Sequence, residues 1–166
     1  MTAEENCLKI LVVYDTGSAN RNTEKVAKTL SEALKEKGFD VDCLHVKDVD
    51  PGGVKNYDCV LAGSPTQWRK ATEPIIQFLD RFAQEEFSGK LAAAFDTQLP
   101  FPLSGNAANG IEKKLRKLGF KMVTASLVTY VESKKNVEGK NEIHLKEGEL
   151  EKAKKYAENL ADKLHP

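Results

Sequence analysis

Residues 8–38 read LKILVVYDTGSANRNTEKVAKTLSEALKEKG, and this stretch decides the fold. Its first part, Leu8 to Tyr14, holds Ile10, Leu11, Val12 and Val13 in an unbroken apolar run. A strand without apolar–polar alternation is buried on both faces, as in a parallel sheet covered by helices. A loop of Thr, Gly, Ser and Asn follows. From about Asn22 to Lys37, Val26, Leu30 and Leu34 recur at helical spacing. Gly38 is the expected stop, because only glycine enters the left-handed cap conformation without penalty. The unit is strand, polar loop, amphipathic helix.

The same unit repeats outward along the chain. Strands are expected at Asp40–Val46, Tyr57–Gly63, Lys90–Phe95 and Lys121–Val131. Helices are expected at about Thr72–Phe82, Gly105–Leu118 and Glu147–Leu164, each with an apolar stripe. Lys47–Asn56 contains Asp50-Pro51-Gly52-Gly53 and reads as a turn with at most one helical turn beside it. Glu132–Glu142, charged and glycine-containing, reads as an exposed loop. Alternating strands and helices imply parallel strands joined by right-handed crossovers. The expected architecture is a single α/β domain over residues 1–166, a three-layer α/β/α doubly wound sandwich on a five-stranded parallel sheet. Such sheets bind ligands outside the carboxyl ends of their strands. Function should therefore lie in the loops after strands one, three and four.

Composition narrows the classes. The chain has 166 residues, 40% hydrophobic and 30% charged, as expected for one ordinary core. Its 25 basic and 25 acidic residues cancel, which argues against bulk attraction to nucleic acid or anionic membrane. No apolar run approaches the ~20 residues of a membrane span. The acidic, polar start lacks a secretory layout, so a cytoplasmic location is expected. Cys7, Cys43 and Cys59 match no zinc or redox spacing, and Cys43 and Cys59 are expected to be buried thiols. His45, His144 and His165 are scattered, and no metal site is expected.

The first loop, Asp15 to Thr23, offers hydroxyls, Gly17 and a helix N-terminus, where unpaired N–H groups and the helix dipole favour an anion. It holds one basic residue, Arg21, and no Gly-Lys-Ser/Thr, which argues against a nucleoside-triphosphate loop. A plain turn with Asn22 capping the helix is the alternative. The second loop, Gly63 to Ala71, holds Trp68, the one tryptophan of the chain, which can offer a face to a planar ligand or cover the core edge. The third, Asp96 to Asn106, is long and places apolar Leu99 and Phe101 among polar residues, with Ser104 or Asn106 to cap the next helix. An anion site, a tryptophan and an apolar loop on one edge describe a mononucleotide with a large flat head.

At this point the chain resembles the flavodoxin family over essentially its whole length. ILVVYDT followed by NTEKVAKTL, VLAGSPT with Trp68, and AAAFDT with SGNAANGIEKKLRKLGF carry the resemblance. LKEGELEKAKKYAENLADKL also looks like the end of archaeal and methanogen-type flavodoxin-like proteins, which are short-chain. The resemblance implies a flavodoxin-like strand order of 2-1-3-4-5 and an FMN cofactor. It implies that Thr16, Ser18, Asn20, Asn22 and Thr23, in a loop completed by Gly17, Ala19 and Arg21, hold the FMN phosphate. Ser64, Pro65, Thr66, Gln67 and Trp68 would line one side of the isoalloxazine, with Trp68 stacked on it. Asp96, Thr97, Gln98, Leu99 and Phe101 would line the other side and the pyrimidine edge. An apolar sandwich with few cations lowers the potential, so the expected function is low-potential electron transfer between ferredoxin- or flavoprotein-type redox partners. No catalytic residue, nucleic-acid contact or membrane insertion is expected, and the chain should be a monomer or weak dimer.

Three departures from the family pattern stand out. Asn20 and Arg21 replace a Thr and a Gly in a phosphate loop about two residues longer than usual. The Trp68 loop lacks the glycine whose peptide, in the family, often turns to hydrogen-bond the reduced flavin N5. The chain is neutral where flavodoxins are usually strongly acidic, which weakens steering toward basic partners. Receiver domains and low-molecular-weight phosphatases share parts of this layout, but the third strand ends without an Asp and no Cys lies in the first loop. Two alternatives stay open: an FMN-dependent NAD(P)H:quinone reductase, and a flavodoxin-like domain with weak or no FMN binding that serves as a partner-binding module.

Overall fold

The computed structural model describes residues 7–17 and 19–165. Strand β1 (Lys9–Tyr14) leads to helix α1 (Asn22–Glu36) and strand β2 (Asp40–His45). Two 3-10 segments, Val46–Asp48 and Pro51–Asn56, connect to β3 (Cys59–Pro65). The second is longer than the single turn expected, started by Pro51 and by the Asp50 carboxylate accepting from Gly52 N at 3.1 Å. Then follow α2 (Glu73–Asp80), β4 (Leu91–Gln98), α3 (Ala107–Lys117), β5 (Lys121–Met122), β6 (Leu127–Lys135), β7 (Asn141–Leu145) and α4 (Glu149–Leu164).

The sheet order is β2-β1-β3-β4-β6-β7, with β5 also beside β4. The pairs from β2 through β6 are parallel, as the crossover argument requires. Successive residues of β1 face opposite layers. Ile10 and Val12 pack with α1 and α4, whereas Leu11 and Val13 pack with α2 and α3. That double burial is why the run shows no alternation. On α1 the stripe Val26, Leu30 and Leu34 is fully buried, at about 1.5–3 kcal/mol for each large side chain.

Two expectations change at the far edge. The single strand expected over Lys121–Val131 is two pieces in one parallel alignment with β4. Between Ala92 and Phe95 β4 advances three residues, while its neighbour advances five, from Met122 to Leu127. The extra chain loops out, and helices satisfy its polar groups. Ser126 Oγ donates to Glu112 (2.9 Å), Tyr156 Oη donates to Ala125 O (2.6 Å), and Lys163 Nζ donates to Thr124 Oγ1 (2.8 Å). Second, Glu132–Glu142 is a β-hairpin rather than a loop. β6 runs on to Lys135 and β7 returns antiparallel, pairing Val131 with Leu145 and Ser133 with Ile143. Asn136 Oδ1 closes the turn by accepting from Glu138 N (2.9 Å) and Lys140 N (3.0 Å). Cys59 is buried as expected, Cys43 is only half-buried, and Cys7 is exposed.

Candidate functional site

At the carboxyl ends of β1, β3 and β4 the three loops meet. The first begins at Asp15, which is buried and locked in place. Its N–H bonds Gly63 O (3.1 Å), one carboxylate oxygen accepts from Thr72 Oγ1, and the other faces His45 Nε2 at 3.1 Å. Beyond it, Thr16 Oγ1 is buried with no partner among the described residues. Gly17 leaves room for Gln67: a Cβ there would stand 2.3 Å from Gln67 Nε2. Ser18 lies outside the described residues, and Ala19 is exposed.

Asn22 does not cap α1. Arg21 takes the cap position in the left-handed conformation (φ 50°, ψ 48°), with no side-chain cap bond, and its guanidinium turns to Glu24 at 3.7 Å. The helix bonds begin with Lys25 N to Arg21 O at 3.0 Å, so the N–H groups of Asn22, Thr23 and Glu24 have no intrahelical acceptor. Asn20 and Asn22 both donate through Nδ2 to one carbonyl, Ile143 O on β7, at 2.7 and 2.9 Å. Thr23 Oγ1 meets Thr97 Oγ1 at 2.8 Å, joining α1 to β4.

Ser64, Pro65, Asp96, Thr97 and Gln98 lie at strand ends rather than in loops, because β3 and β4 stay paired through Ser64–Asp96 and Pro65–Thr97. Ser64 is fully buried and its Oγ accepts from Thr72 N at 2.9 Å, holding the second loop from beneath. Gln67 and Lys70 exchange both backbone bonds (2.8 and 3.1 Å) around Trp68 (φ 51°) and Arg69 (φ 70°). Positive φ at both central residues is what a type I′ turn requires, and without glycine it costs roughly 1 kcal/mol per residue. Trp68 at its tip is 94% exposed, so it does not cover the core edge.

In the third loop Leu99 is 36% and Phe101 63% exposed. Ser104 Oγ donates to Leu99 O (2.9 Å) and Phe101 O (2.7 Å), and Asn106 is the α3 cap, accepting from Asn109 N at 3.0 Å. Gly105 (φ 78°) touches the Trp68 turn: a Cβ on it would fall 2.3 Å from Arg69 Cα. Asp96 is fully buried beside the start of α3. One carboxylate oxygen accepts from Ala108 N (3.1 Å) and Thr66 Oγ1 (3.3 Å), and the other has no partner among the described residues. With its amide nitrogen turned inward, Gln98 donates to Gly105 O (2.9 Å) and to Asp96 (3.2 Å). Burial pushes the Asp96 carboxyl up to about 6, against the lowering effect of the Ala108 N–H and the Thr66 hydroxyl.

A cavity of about 190 Å³ brings Asn22, Thr23, Pro65, Thr66, Gln67, Thr97, Gln98 and Leu99 together. Gln98 also borders a second opening of about 490 Å³ with Phe101, Gly105 and Tyr130. Trp68 lines neither. Val131 and Ile143 complete the first cavity, and Tyr130 the second. Sequence reasoning named none of them for the site, although Tyr130 and Val131 lie in the expected last strand; the alternation of Ile143 and Leu145 with polar neighbours was the signal for the returning strand. The uncapped α1 N-terminus and the unpartnered Thr16 hydroxyl fit a phosphate. The Asn20 and Asn22 amide nitrogens, expected to reach that phosphate, are instead engaged by β7.

The flavodoxin family model matches residues 12–156. A flavodoxin of Maridesulfovibrio salexigens is 32% identical over 124 residues, covering 72% of this chain and 84% of that protein. An uncharacterised protein of Methanocaldococcus jannaschii is 28% identical over 157 residues, covering 92% and 98%. A solved flavodoxin from the domain Archaea superposes with a TM-score of 0.75 at 23% identity, covering 96% of this chain and all of that one. The strand order, the meeting of the three loops at one edge and the match over residues 12–156 agree: this chain belongs to the flavodoxin family, whose cofactor is FMN.

Proposed function

We propose that this chain is a cytoplasmic, low-potential electron carrier that holds one FMN across the three loops and passes electrons between redox proteins. The observation that carries the reading is the pairing of an α1 N-terminus and a Thr16 hydroxyl that, among the described residues, have no side-chain cap and no partner, next to the cavity between Pro65–Gln67 and Thr97–Leu99. When bound, FMN supplies the electron storage. Thr16 Oγ1, with the N–H groups of Asn22, Thr23 and Glu24, would bind the phosphate. Thr66, Gln67 and Gln98 would orient the polar edge of the ring by hydrogen bonds. Leu99, Phe101 and Trp68 would exclude water from its faces. No Lys or Arg lines the cavity, and the buried Asp96 carboxylate lies just behind Thr66 and Gln98. A negative charge in a poorly screened position opposes the arrival of an electron, which favours a low potential. Among the described residues no helix is long and apolar enough to cross a membrane.

An anaerobic redox titration of the FMN-loaded protein tests this reading. A midpoint well below that of free FMN supports it, and Asp96→Asn should raise the midpoint. A midpoint at or above that of free FMN contradicts it. The second reading, a partner-binding module with weak FMN affinity, is favoured by one observation: Asn20 and Asn22 spend their amide nitrogens on Ile143 O. A protein that stays colourless with excess FMN would establish that alternative.

A further inference from the structure

Flavodoxins are usually acidic, yet the edge of this chain that carries the site is not. Within the three loops the acidic residues are Asp15 and Asp96, and both are buried. Exposed charge in the loops is cationic: Arg21, Arg69 and Lys70. Arg21 is partly neutralised by Glu24, whereas Arg69 and Lys70 form no ion pair among the described residues. Two acids of the neighbouring hairpin pair locally, Glu132 with Lys134 (3.1 Å) and Glu138 with Lys140 (3.5 Å), and Glu142 hydrogen-bonds the His144 ring (3.0 Å). The cations also sit beside apolar surface. Trp68 is 94%, Leu103 77% and Phe101 63% exposed. The two loops form one face, joined by Thr66 N to Thr97 O (2.8 Å) and by the contact of Gly105 with Arg69.

From this charge pattern we infer that the face built by the 67–70 turn and the 99–105 loop docks an acidic redox protein, with Arg69 and Lys70 meeting its carboxylates and Leu103, Phe101 and Trp68 meeting an apolar centre. The inference rests on the electron-carrier reading, and it runs opposite to the basic partner that an acidic carrier would select. Exposed apolar side chains supply contact area that excludes water, and the cations set partner choice and encounter rate.

Two standard redox proteins serve as probes, an acidic iron–sulfur ferredoxin and basic cytochrome c. In the first reaction a reduced ferredoxin cluster gives one electron to the oxidised FMN of this protein; in the second the reduced FMN gives one electron to ferric haem. The ferredoxin reaction should slow about 5-fold or more between roughly 20 and 300 mM salt, as screening shortens the reach of opposite charges. The cytochrome c reaction should hold steady or speed up. At low salt, Arg69→Glu/Lys70→Glu should slow the ferredoxin reaction about 10-fold and reverse its salt dependence, with FMN affinity unchanged. Lys70→Glu alone, which leaves the left-handed Arg69 in place, should give a smaller effect of the same sign. Binding of oxidised ferredoxin, followed by amide NMR shifts at residues 67–70 and 99–105, reads docking without electron transfer. Electron transfer from ferredoxin that is indifferent to salt and to both variants overturns the docking face and leaves the carrier reading intact. Ferredoxin bound at this face with no electron passing would sustain the docking face and end the carrier reading.

Discussion

The two ends of the site are built differently. At the phosphate end Asn22 and Thr23 are 3% and 1% exposed, and their side chains are tied to β7 and β4. At the ring end Trp68, Leu99 and Phe101 face water, and the loops carrying them are held by a backbone contact at Gly105. The first end is shaped before a ligand arrives; the second gains most of its burial from the ligand. Binding energy from a preformed phosphate site can then order the apolar loops over the ring, at lower entropic cost than ordering both ends together.

The contrast can be broken most forcefully at Gly105. Gly105→Val places a Cβ on the Arg69 backbone at a φ of 78°, and should cost about 2–4 kcal/mol in urea unfolding while separating the ring-end loops. Asp96 comes next, and the sign of its effect can be worked out. Its folded pKa of about 6 lies above its unfolded value near 3.9, so its favourable contribution is full below pH ~4 and is lost as pH rises through ~6. Asp96→Asn should therefore stabilise the FMN-free protein by about 1–3 kcal/mol at pH 8, with the gain gone near pH 4, read as unfolding free energy against pH. At the phosphate end, Asn20→Ala and Asn22→Ala each remove one bond to Ile143 O. Each should weaken FMN binding by about 3- to 10-fold and riboflavin binding much less, by fluorescence titration. The smallest effect is at Trp68. Trp68→Ala should change the stability of the FMN-free protein by less than about 0.5 kcal/mol, as expected for an exposed side chain, while lowering the affinity for FMN and riboflavin alike.

These predictions also mark what was legible in the sequence. β1, β3 and β4 announce themselves because double burial leaves unbroken apolar runs such as Ile10 to Val13. The second half of β6 and β7 do not, because Glu132, Lys134, Glu142 and His144 fill one face of a half-exposed hairpin, and the other face is apolar only at Val131, Ile143 and Leu145. Strand ends at Ser64–Pro65 and Asp96–Gln98 are turn-forming residue types that the sheet nevertheless keeps paired. The residue types of the phosphate loop were readable; their use was not. Whether an Asn amide faces a ligand or a carbonyl depends on Ile143, which is more than a hundred residues away along the chain.

The central claim is a preformed phosphate site at the start of α1, and comparing FMN with riboflavin tests it most directly. Flavin and Trp68 fluorescence, followed while each is titrated into the protein, should show one FMN bound per chain, at least about 100-fold more tightly than riboflavin. Equal affinities, or no FMN binding at about 50 µM, would contradict a phosphate site at Thr16 and the α1 N-terminus, and the electron-carrier account with it.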